Sequence, residues 1–340
     1  MTTSAHRPPG RARWRAAVVL AVAALAVAAC GGAPAPAAPP APAPADAPAA
    51  FPVTITHAFG ETTIPAPPTR VVALGKNDAE AAVSLGVPPV ATSSGLEVYP
   101  WLQAELDKAG STALADETGV PLEQVAGLAP DLIIAMDVVD GAEYQALSAI
   151  APVLTYEQDR FSYSWQDFTR YVARALGRGE QAETVISDTE ARVAELVAAN
   201  PALSGRTFSL SNLSADFPFV IYADESPGVR FFTDLGMRRS PEMDRLAAGE
   251  VVLQDDYLSL EQLDMLDADV VVTSYASQQD QQFFESNEVF AGMDAARRGA
   301  VVALDTAAVG QVLLPSALGN VAVLESIAPQ LTAAAQTVTG

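Results

Sequence analysis

The sequence predicts an α/β protein in which two Rossmann-like lobes, each with a mainly parallel sheet, are joined by one long α-helix. Residues 179–200 carry apolar side chains at helical spacing, with acidic residues on the opposite face. About 20 residues at 1.5 Å each make a helix roughly 30 Å long, and Asn200-Pro201 ends it. On both sides of this helix, strand and helix patterns alternate, which is typical of parallel sheets.

The two flanks of this helix repeat one another. Residues 122–134 read LEQVAGLAPDLII, and residues 260–272 read LEQLDMLDADVVV. In both copies Leu-Glu-Gln opens a short helix, an Asp follows further on, and a buried strand rich in β-branched residues comes next. A surface helix on one large domain would show the same periodicity as residues 179–200. An internal repeat on each side of that helix favours two duplicated lobes instead.

The first 29 residues have the layout of a secretory signal peptide. Basic residues without any acidic residue precede an apolar run, Ala16 to Ala29, that is short for a membrane span. The segment ends Val-Ala-Ala-Cys-Gly, which resembles the bacterial lipobox, and Cys30 is the only cysteine of the chain. We therefore expect Cys30 to become a lipidated N-terminus, because two acyl chains hold a protein stably at a membrane. A plain signal peptide followed by a chance cysteine is the alternative.

Residues 30–50 consist of this cysteine and a tract of proline and alanine with almost no charge. Such a tract has no periodic apolar face and cannot build a core, so we expect an extended tether. Together, the signal peptide, the cysteine and the tether predict a protein anchored by lipid to the cell membrane, on its extracytoplasmic face.

The remaining residues are numerous enough for two domains with real cores. We expect an N-terminal lobe at 51–165, linking helices at 166–200 that include the interdomain helix, and a C-terminal lobe at 201–340. After removal of the four arginines of the signal peptide, 15 basic residues stand against 41 acidic ones. A nucleic-acid-binding protein would be basic, so we expect no nucleic-acid partner.

In the N-terminal lobe the patterns predict a first strand at VTITHAF, followed by GETTIPAPPTR as a turn and approach segment. A buried strand at VVAL is followed by a helix that Lys76 opens, with Asn77 or Asp78 as its N-cap. Further strands are expected at PPVATS, DLIIAM and APVLTY, with a helix around Glu143 to Ile150 before the last of them.

After the helices at 166–200, the C-terminal lobe resumes with strands expected at TFSLSN and FPFVIYA. A helix around FFTDLG, the second repeat block with its strand, and a strand at AVVALD follow. The chain closes with a helix at LGNVAVLESIAPQL.

The lipobox-like junction, the opening HAFGETTIPAPPTRVVALG, the paired Leu-Glu-Gln blocks and the helix between them resemble the iron–siderophore substrate-binding lipoproteins of ABC importers. Vitamin B12 and haem binders share that class. The resemblance covers residues 51–331. It implies that the protein captures a ferric siderophore between its lobes and delivers it to ABC permease subunits, without a cofactor. We expect a monomer that is not an enzyme.

Ligands of open α/β sheets bind at the loops beyond the carboxyl ends of the strands. A ferric siderophore is bulky and its metal is already coordinated, so its site needs aromatic walls and a few cations or donors. Each aromatic residue of these loops could instead belong to ordinary lobe packing, and Arg230 could merely offset nearby acids. The loops supply the candidate ligand-binding residues Lys76, Asn77, Tyr99, Trp101, Arg160, Tyr163, Trp165, Tyr222, Arg230, Tyr257 and Tyr275.

Glu123 and Glu261 occupy the same position of the two repeat blocks. By resemblance, they match glutamates that dock arginines of the permease, one from each lobe. A solvated glutamate in the first turn of a helix, favoured by the helix dipole, is the alternative.

Three other functions stay open. A free-metal binder would need several His and carboxylate ligands, whereas only His57 remains after signal-peptide removal, so we expect no metal site. Haem or cobalamin could occupy the same fold, since a shared fold does not fix the ligand. A secreted hydrolase is the distant alternative, because no G-x-S-x-G, P-loop or G-x-G-x-x-G motif is found but a carboxylate pair could exist.

Overall fold

The structure is a computed structural model that describes residues 51–115, 119–137, 140–158, 163–253 and 256–338. The predicted signal peptide, Cys30, the tether and Arg160 lie outside the described residues. None of the helices within these ranges combines the length and apolar character needed to cross a membrane.

The folded part opens with an antiparallel hairpin of β1 (Val53–His57) and β2 (Gly60–Ile64). The sequence predicted only the first of these strands, because Gly60 and the two threonines suggest a turn. Ile55 and Ile64 are fully buried, so the second strand exists through packing on the N-terminal lobe. His57 is also buried, and its Nε2 lies 3.0 Å from Thr62 Oγ1, as a structural histidine would.

A five-stranded parallel sheet forms the centre of the N-terminal lobe, with strand order β5-β4-β3-β6-β7. Alternate residues of its central strands face two separate cores: Val71 and Ile134 face one, and Val72 and Ile133 face the other. The sheet is therefore covered on both faces, as in doubly wound α/β proteins. Its strands are β3 (Val71–Ala73), β4 (Ala91–Thr92), β5 (Thr112–Ala113), β6 (Leu132–Ile134) and β7 (Val153–Leu154).

Four helices accompany this sheet, and two of them correct the sequence-based expectation. The first begins at Lys76 with Gly75 as its N-cap and no side-chain cap, so neither Asn77 nor Asp78 caps it. The second begins at Pro100, which places Trp101 on a helix rather than in a loop. The helices are α1 (Lys76–Ser84), α2 (Pro100–Ala109), α3 (Leu122–Gly127) and α4 (Gly141–Ser148), and a short 3₁₀ helix spans Leu96–Val98.

Two helices lead from this lobe to the next, α5 (Trp165–Leu176) and α6 (Gly179–Ala199). The first half of α6 packs on the N-terminal lobe through Ala182. Its second half packs on the core of the C-terminal lobe through Val193, Leu196 and Val197. One apolar face of this helix therefore packs first on the core of the N-terminal lobe and then on the core of the C-terminal lobe, and in this way the helix links the two lobes.

The C-terminal lobe holds a second sheet with strand order β10-β8-β11-β12, all parallel, and β9 pairs antiparallel with β8. The strands are β8 (Thr207–Leu213), β9 (Phe219–Val220), β10 (Arg238–Arg239), β11 (Val270–Tyr275) and β12 (Val301–Leu304). The helices are α7 (Pro227–Asp234), α8 (Pro241–Ala247), α9 (Gln278–Glu285), α10 (Glu288–Gly292), α11 (Asp294–Arg298), α12 (Thr306–Leu313) and α13 (Ala317–Gln336), with 3₁₀ helices at Pro201–Leu203 and Leu260–Leu266.

The repeat seen in the sequence has a structural basis in its aspartates. Asp131 accepts hydrogen bonds from the backbone N–H of Thr69 and of Arg70, both at 2.8 Å. Asp269 accepts one from the backbone N–H of Thr207, also at 2.8 Å. Each Asp lies 62 residues after its Thr. In both lobes the aspartate of the repeat block therefore connects the starts of two neighbouring strands, β3 and β6 in the N-terminal lobe and β8 and β11 in the C-terminal lobe.

The closing helix α13 spans both lobes, which the sequence did not indicate. Leu318 in its first turn packs with the N-terminal lobe, whereas Leu331 near its other end lies in the C-terminal core. It runs along α6, to which an ion pair between Arg192 and Glu325 (2.6 Å) connects it. The lobes are therefore bridged by two packed helices rather than by one.

Candidate ligand-binding cleft

The order of strands in each sheet marks where a ligand can bind. In the N-terminal lobe β3 and β6 are neighbours from which the chain turns to opposite sides, and in the C-terminal lobe β8 and β11 are such neighbours. At such a switch point the loops after the two strands separate and leave a crevice. In the N-terminal lobe the carboxyl group of Asp78 bridges these loops, accepting a hydrogen bond from Met136 N at 3.2 Å.

The first compartment of the cleft opens at the switch point of the N-terminal lobe. It has a volume of about 460 Å³, which lies in the range of small-molecule sites. Both lobes contribute to it, since α7 and the segment after α12 form one wall. The lining residues are Lys76, Asn77, Asp78, Met136, Asp137, Tyr163, Ser164, Trp165, Phe168, Pro227, Leu313, Leu314 and Pro315.

The second compartment lies at the strand ends of the C-terminal lobe and has a volume of about 610 Å³. Leu313 lines both compartments, so they adjoin. Aromatic rings form much of the second compartment: the ring centroid of Tyr257 lies 5.4 Å from that of Phe217 and 6.0 Å from that of Phe219. Its lining is completed by Asn212, Ser214, Val220, Ile221, Tyr222, Ala223, Ser226 and Asp256.

Asp256 holds an unusual position in this second compartment. Its φ of 61° lies in the left-handed region, which a residue other than glycine seldom adopts. Its carboxylate accepts a hydrogen bond from Tyr222 OH at 2.5 Å, and that bond raises the pKa of Tyr222. The tyrosine hydroxyl is thus held as a donor to the carboxylate, which fixes the orientation of its ring along the wall.

Lys76 lines the first compartment, but its charged group points into a buried polar network. Its Nζ donates to Glu80 Oε2 at 2.7 Å, to Gln311 Oε1 at 2.7 Å and to the carbonyl oxygen of Leu314 at 3.0 Å. Burial lowers the pKa of Lys76, and the carboxylate of Glu80 partly opposes that shift. Because Gln311 and Leu314 belong to the C-terminal lobe, Lys76 ties the two lobes together.

Tyr99 and Trp101 belong to the same network rather than to the cleft. Trp101 Nε1 donates to Glu80 Oε1 at 2.6 Å, and its ring packs against the cores of both lobes. The ring of Tyr99 lies 5.3 Å from Lys76 Nζ and closes over the ammonium group. Neither residue lines the two compartments.

Asp78 and Asp137 form an acidic pair at the switch point of the N-terminal lobe. A Cβ on Gly75 would lie 3.0 Å from Asp78 Oδ2 and 3.2 Å from Asp137 Oδ2, so only glycine leaves both carboxyl groups undisturbed. Asp78 is buried, and burial together with the charge of Asp137 raises the pKa of Asp78 to about 7. A carboxyl group at this point is therefore close to its titration midpoint at neutral pH.

Six of the residues predicted from sequence lie together in the two compartments. The structure places Lys76, Asn77, Tyr163 and Trp165 in the first, and Tyr222 and Tyr257 in the second. Arg230 is exposed and lines a smaller adjoining cavity of about 220 Å³, which shares Tyr163 and Trp165 with the first compartment. Tyr275 is half-buried against the C-terminal core and lines neither compartment. Arg160 lies outside the described residues.

Sequence reasoning missed part of the cleft lining. Asp78 was considered only as a helix cap, although its place just after a strand in a parallel sheet is the signal for a site residue. Asp137 directly follows the strand of the first repeat block and carried the same signal. Phe168, Phe217 and Phe219 gave no signal, because apolar rings in these patterns are expected in the core.

Glu123 and Glu261 are both exposed in the first turns of their short helices. Each follows a leucine, Leu122 or Leu260, that is 37% exposed. Among the described residues, no ion pair or hydrogen bond involves either glutamate side chain. The repeat therefore presents the same pair of side chains, an exposed leucine and a glutamate, once on each lobe.

Two α/β lobes, bridged by packed helices and separated by a ligand-sized cleft at facing strand ends, define a protein that binds a solute between its lobes. Comparison with known proteins identifies the class. The chain belongs to the periplasmic binding protein family, whose profile matches residues 71–308. The predicted fold class is confirmed, and relatives in this family are binding proteins rather than enzymes.

Three similar proteins illustrate this relationship. The probable siderophore-binding lipoprotein YfiY of Bacillus subtilis is 31% identical over 55% of this chain and 57% of its own length. The putative ABC transporter substrate-binding lipoprotein YhfQ of the same organism is 25% identical over 83% of this chain and 89% of its own. The crystal structure of PiaA from Streptococcus pneumoniae in complex with ferrichrome superposes with a TM-score of 0.69, at 22% identity, over 84% of this chain and 99% of that one.

Proposed function

We propose that the protein captures a ferric siderophore in the cleft between its lobes and delivers it to the permease of an ABC importer. The observation that carries the proposal is the cleft itself, whose adjoining compartments of about 460 and 610 Å³ are walled by aromatic rings from both lobes. Rings suit a bulky, precoordinated iron complex, because they offer large contact area without competing for the metal. The names of YfiY and of the PiaA complex support the same ligand class.

The proposed site comprises Asn77, Tyr163, Trp165, Tyr222 and Tyr257, with Lys76 beneath the first compartment. Arg230 would contact a ligand that extends into the adjoining cavity, and Arg160 stays a prediction from sequence. No covalent step is part of this proposal, so the ligand should be recovered unaltered after release.

Delivery of the ligand requires a surface of the protein to which a permease can bind. We propose that Glu123 and Glu261 provide it, one from each lobe, by pairing with cationic residues of the permease. Their equal positions in the repeat, their exposure and the exposed leucine beside each of them support this role. A permease whose two subunits are related by an approximate two-fold axis could thus contact both lobes at once.

We further propose that Cys30 carries the lipid anchor and that residues 31–50 tether the folded part to the extracytoplasmic face of the membrane. The relatives YfiY and YhfQ are named as lipoproteins, which supports this location.

A fluorescence titration tests the ligand class. The mature protein contains two tryptophans, of which Trp165 lines the cleft and Trp101 is held by Glu80 away from it. A ferric siderophore panel, with haemin and cobalamin included, should produce saturable quenching by at least one ferric siderophore. The quenching should largely disappear in Trp165→Phe and persist in Trp101→Phe. Saturable binding of haemin or cobalamin alone would refute the proposal.

A further inference from the structure

A further cavity lies beside the interdomain helix α6, and the function proposed above does not use it. It has a volume of about 510 Å³ and lies between α5, α6, α7 and α13, each of which contributes lining residues. We call this cavity the helix groove. Its apolar walls are formed by Val193, Val197, Phe231, Leu235 and Leu324. An apolar cavity of this size marks a candidate binding site.

The helix groove is continuous with the cleft through the cavity of about 220 Å³ that Arg230 lines. Tyr163 and Trp165 line both this smaller cavity and the first compartment. At its other end, Phe231 and Asn320 line both the smaller cavity and the helix groove. Trp165 lines all three spaces, so a ligand held in the first compartment can extend past its indole ring into the groove.

The apolar side chains of the helix groove are only partly covered by the protein. Leu235 and Leu324 are buried, 3% and 2% exposed, and they form its floor. Val193, Val197 and Phe231 are half-buried, so part of their apolar surface is open to the groove. An apolar group that covers this surface removes it from water, which is a favourable contribution to binding.

A buried amide indicates the kind of ligand that enters the groove. Gln166 Nε2 donates to Glu190 Oε1 at 3.1 Å, so these two polar side chains of the groove bond each other. Asn320, only 7% exposed, accepts a hydrogen bond from Gln311 Nε2 at 3.0 Å through its Oδ1. Its Nδ2 donates to none of the described residues, although Asn320 lines both the smaller cavity and the groove. This amide can therefore donate to a carbonyl oxygen of a ligand.

The helix groove also has the size that an acyl chain needs. A methylene group takes about the volume of one water molecule, roughly 30 Å³, so a chain of about eight carbons takes roughly 240 Å³. With a volume of about 510 Å³, the groove has room for such a chain and for a longer one. An acyl group combines a carbonyl oxygen with an apolar chain, so it matches the buried amide and the apolar walls together.

On the basis of the siderophore function above, we propose that the helix groove is a subsite for the acyl chain of an amphiphilic ferric siderophore. The iron centre lies in the cleft, and the carbonyl oxygen of the chain accepts a hydrogen bond from Asn320 Nδ2. The chain passes Trp165 and lies against the apolar walls beside α6. The protein therefore prefers an acylated siderophore to a form of the same siderophore without the chain.

Two probes that differ only in the length of one acyl chain test this proposal. The free amine of ferrioxamine B can be acylated with an acetyl or an octanoyl group, and the two products have the same iron centre and the same net charge. Each additional methylene, half-buried in the groove, should contribute about twofold to the affinity, so the octanoyl form should bind about 50-fold more tightly than the acetyl form. Equilibrium dialysis of the coloured ferric complexes measures both affinities without relying on tryptophan fluorescence.

A pair of tryptophan substitutions on α6 locates the chain. Ala194 is exposed and lines the helix groove, so the indole of Ala194→Trp occupies the space of the chain. The preference for the octanoyl form should fall to within about fivefold in this variant. Ala199→Trp is the matched control, because Ala199 is exposed on the same helix and does not line the groove. The preference should persist in Ala199→Trp, which excludes general adhesion of the chain to the protein surface.

Three results would overturn this inference and leave the siderophore function intact. They are equal affinity of the wild type for the two forms, an undiminished preference in Ala194→Trp, and failure of the octanoyl form to bind while another ferric siderophore binds. If no ferric complex of any kind binds, the siderophore function is refuted, and this inference with it.

Discussion

The buried pair of Lys76 and Glu80 offers the sharpest test of how the two lobes are held. Lys76→Met keeps the length of the side chain and removes its charge. Glu80 would then remain as a fully buried carboxylate, with the hydrogen bond from Trp101 Nε1 (2.6 Å) as its remaining strong contact. Removing one partner of a buried ion pair costs about 3–5 kcal/mol. Because Trp101 still stabilises the carboxylate, we expect a loss of about 3 kcal/mol in the free energy of unfolding.

The free energy of unfolding should be measured by urea denaturation, followed by circular dichroism because Trp101 belongs to the network. Glu80→Gln and the double variant Lys76→Met/Glu80→Gln complete a double-mutant cycle, in which the double variant should lose clearly less than the sum of the two single losses. Lys108→Met is the matched control, since the only other lysine forms an exposed pair with Glu105 and should contribute less than about 1 kcal/mol. A loss below about 1 kcal/mol for Lys76→Met, or full additivity in the cycle, would refute a coupled buried pair.

Four further variants test other parts of the structure. Burial and the charge of Asp137 raise the pKa of Asp78 from its usual 3.8 to about 7, so the stability that this group contributes falls as pH rises through that window. Asp78→Asn should therefore be more stable than the wild type by roughly 4 kcal/mol at pH 8 and differ little from it near pH 4. An equal effect at both pH values in thermal unfolding would contradict this origin. Charge reversal of Glu123 and Glu261 together should leave ligand affinity unchanged and abolish uptake by cells, so normal uptake would end the docking proposal. Arg230→Ala should weaken an anionic ferric complex and spare a neutral one; identical affinities would remove this arginine from the site. Cys30→Ser should release the protein from membranes into the soluble fraction, and continued membrane association would count against lipidation.

The duplication of the lobes could be predicted from sequence because each copy contains the same short pattern of neighbouring residues. Each repeat block combines a helix start, an aspartate and a buried strand within 13 residues, and all three are local features. The aspartates proved to bond a threonine 62 residues earlier in both lobes. Very short elements were missed, for example β5 (Thr112–Ala113), because two residues cannot show an alternating pattern.

The cleft was predicted only in part, because a loop position does not determine which way a side chain points. Tyr163, Trp165, Tyr222 and Tyr257 line the compartments as their positions beyond strand ends suggest. Trp101 has the same kind of position in the sequence, yet it bonds Glu80 between the lobes. Both tryptophans lie at the start of a helix, Trp101 in α2 and Trp165 in α5, so the packing around each helix and not its start decides where the ring lies.

The sequence by itself determined that this protein has two α/β lobes with a linking helix, since helical and strand periodicities state which face of each element is buried. Only the tertiary structure decided what those faces pack against. It placed α13 along α6 as a second bridge, and it joined Lys76 to Gln311, 235 residues further on. Periodicity carries no information about contacts between such distant segments, so the lining that both lobes give to the cleft and the buried hydrogen bonds of Lys76 emerge only when both lobes are assembled.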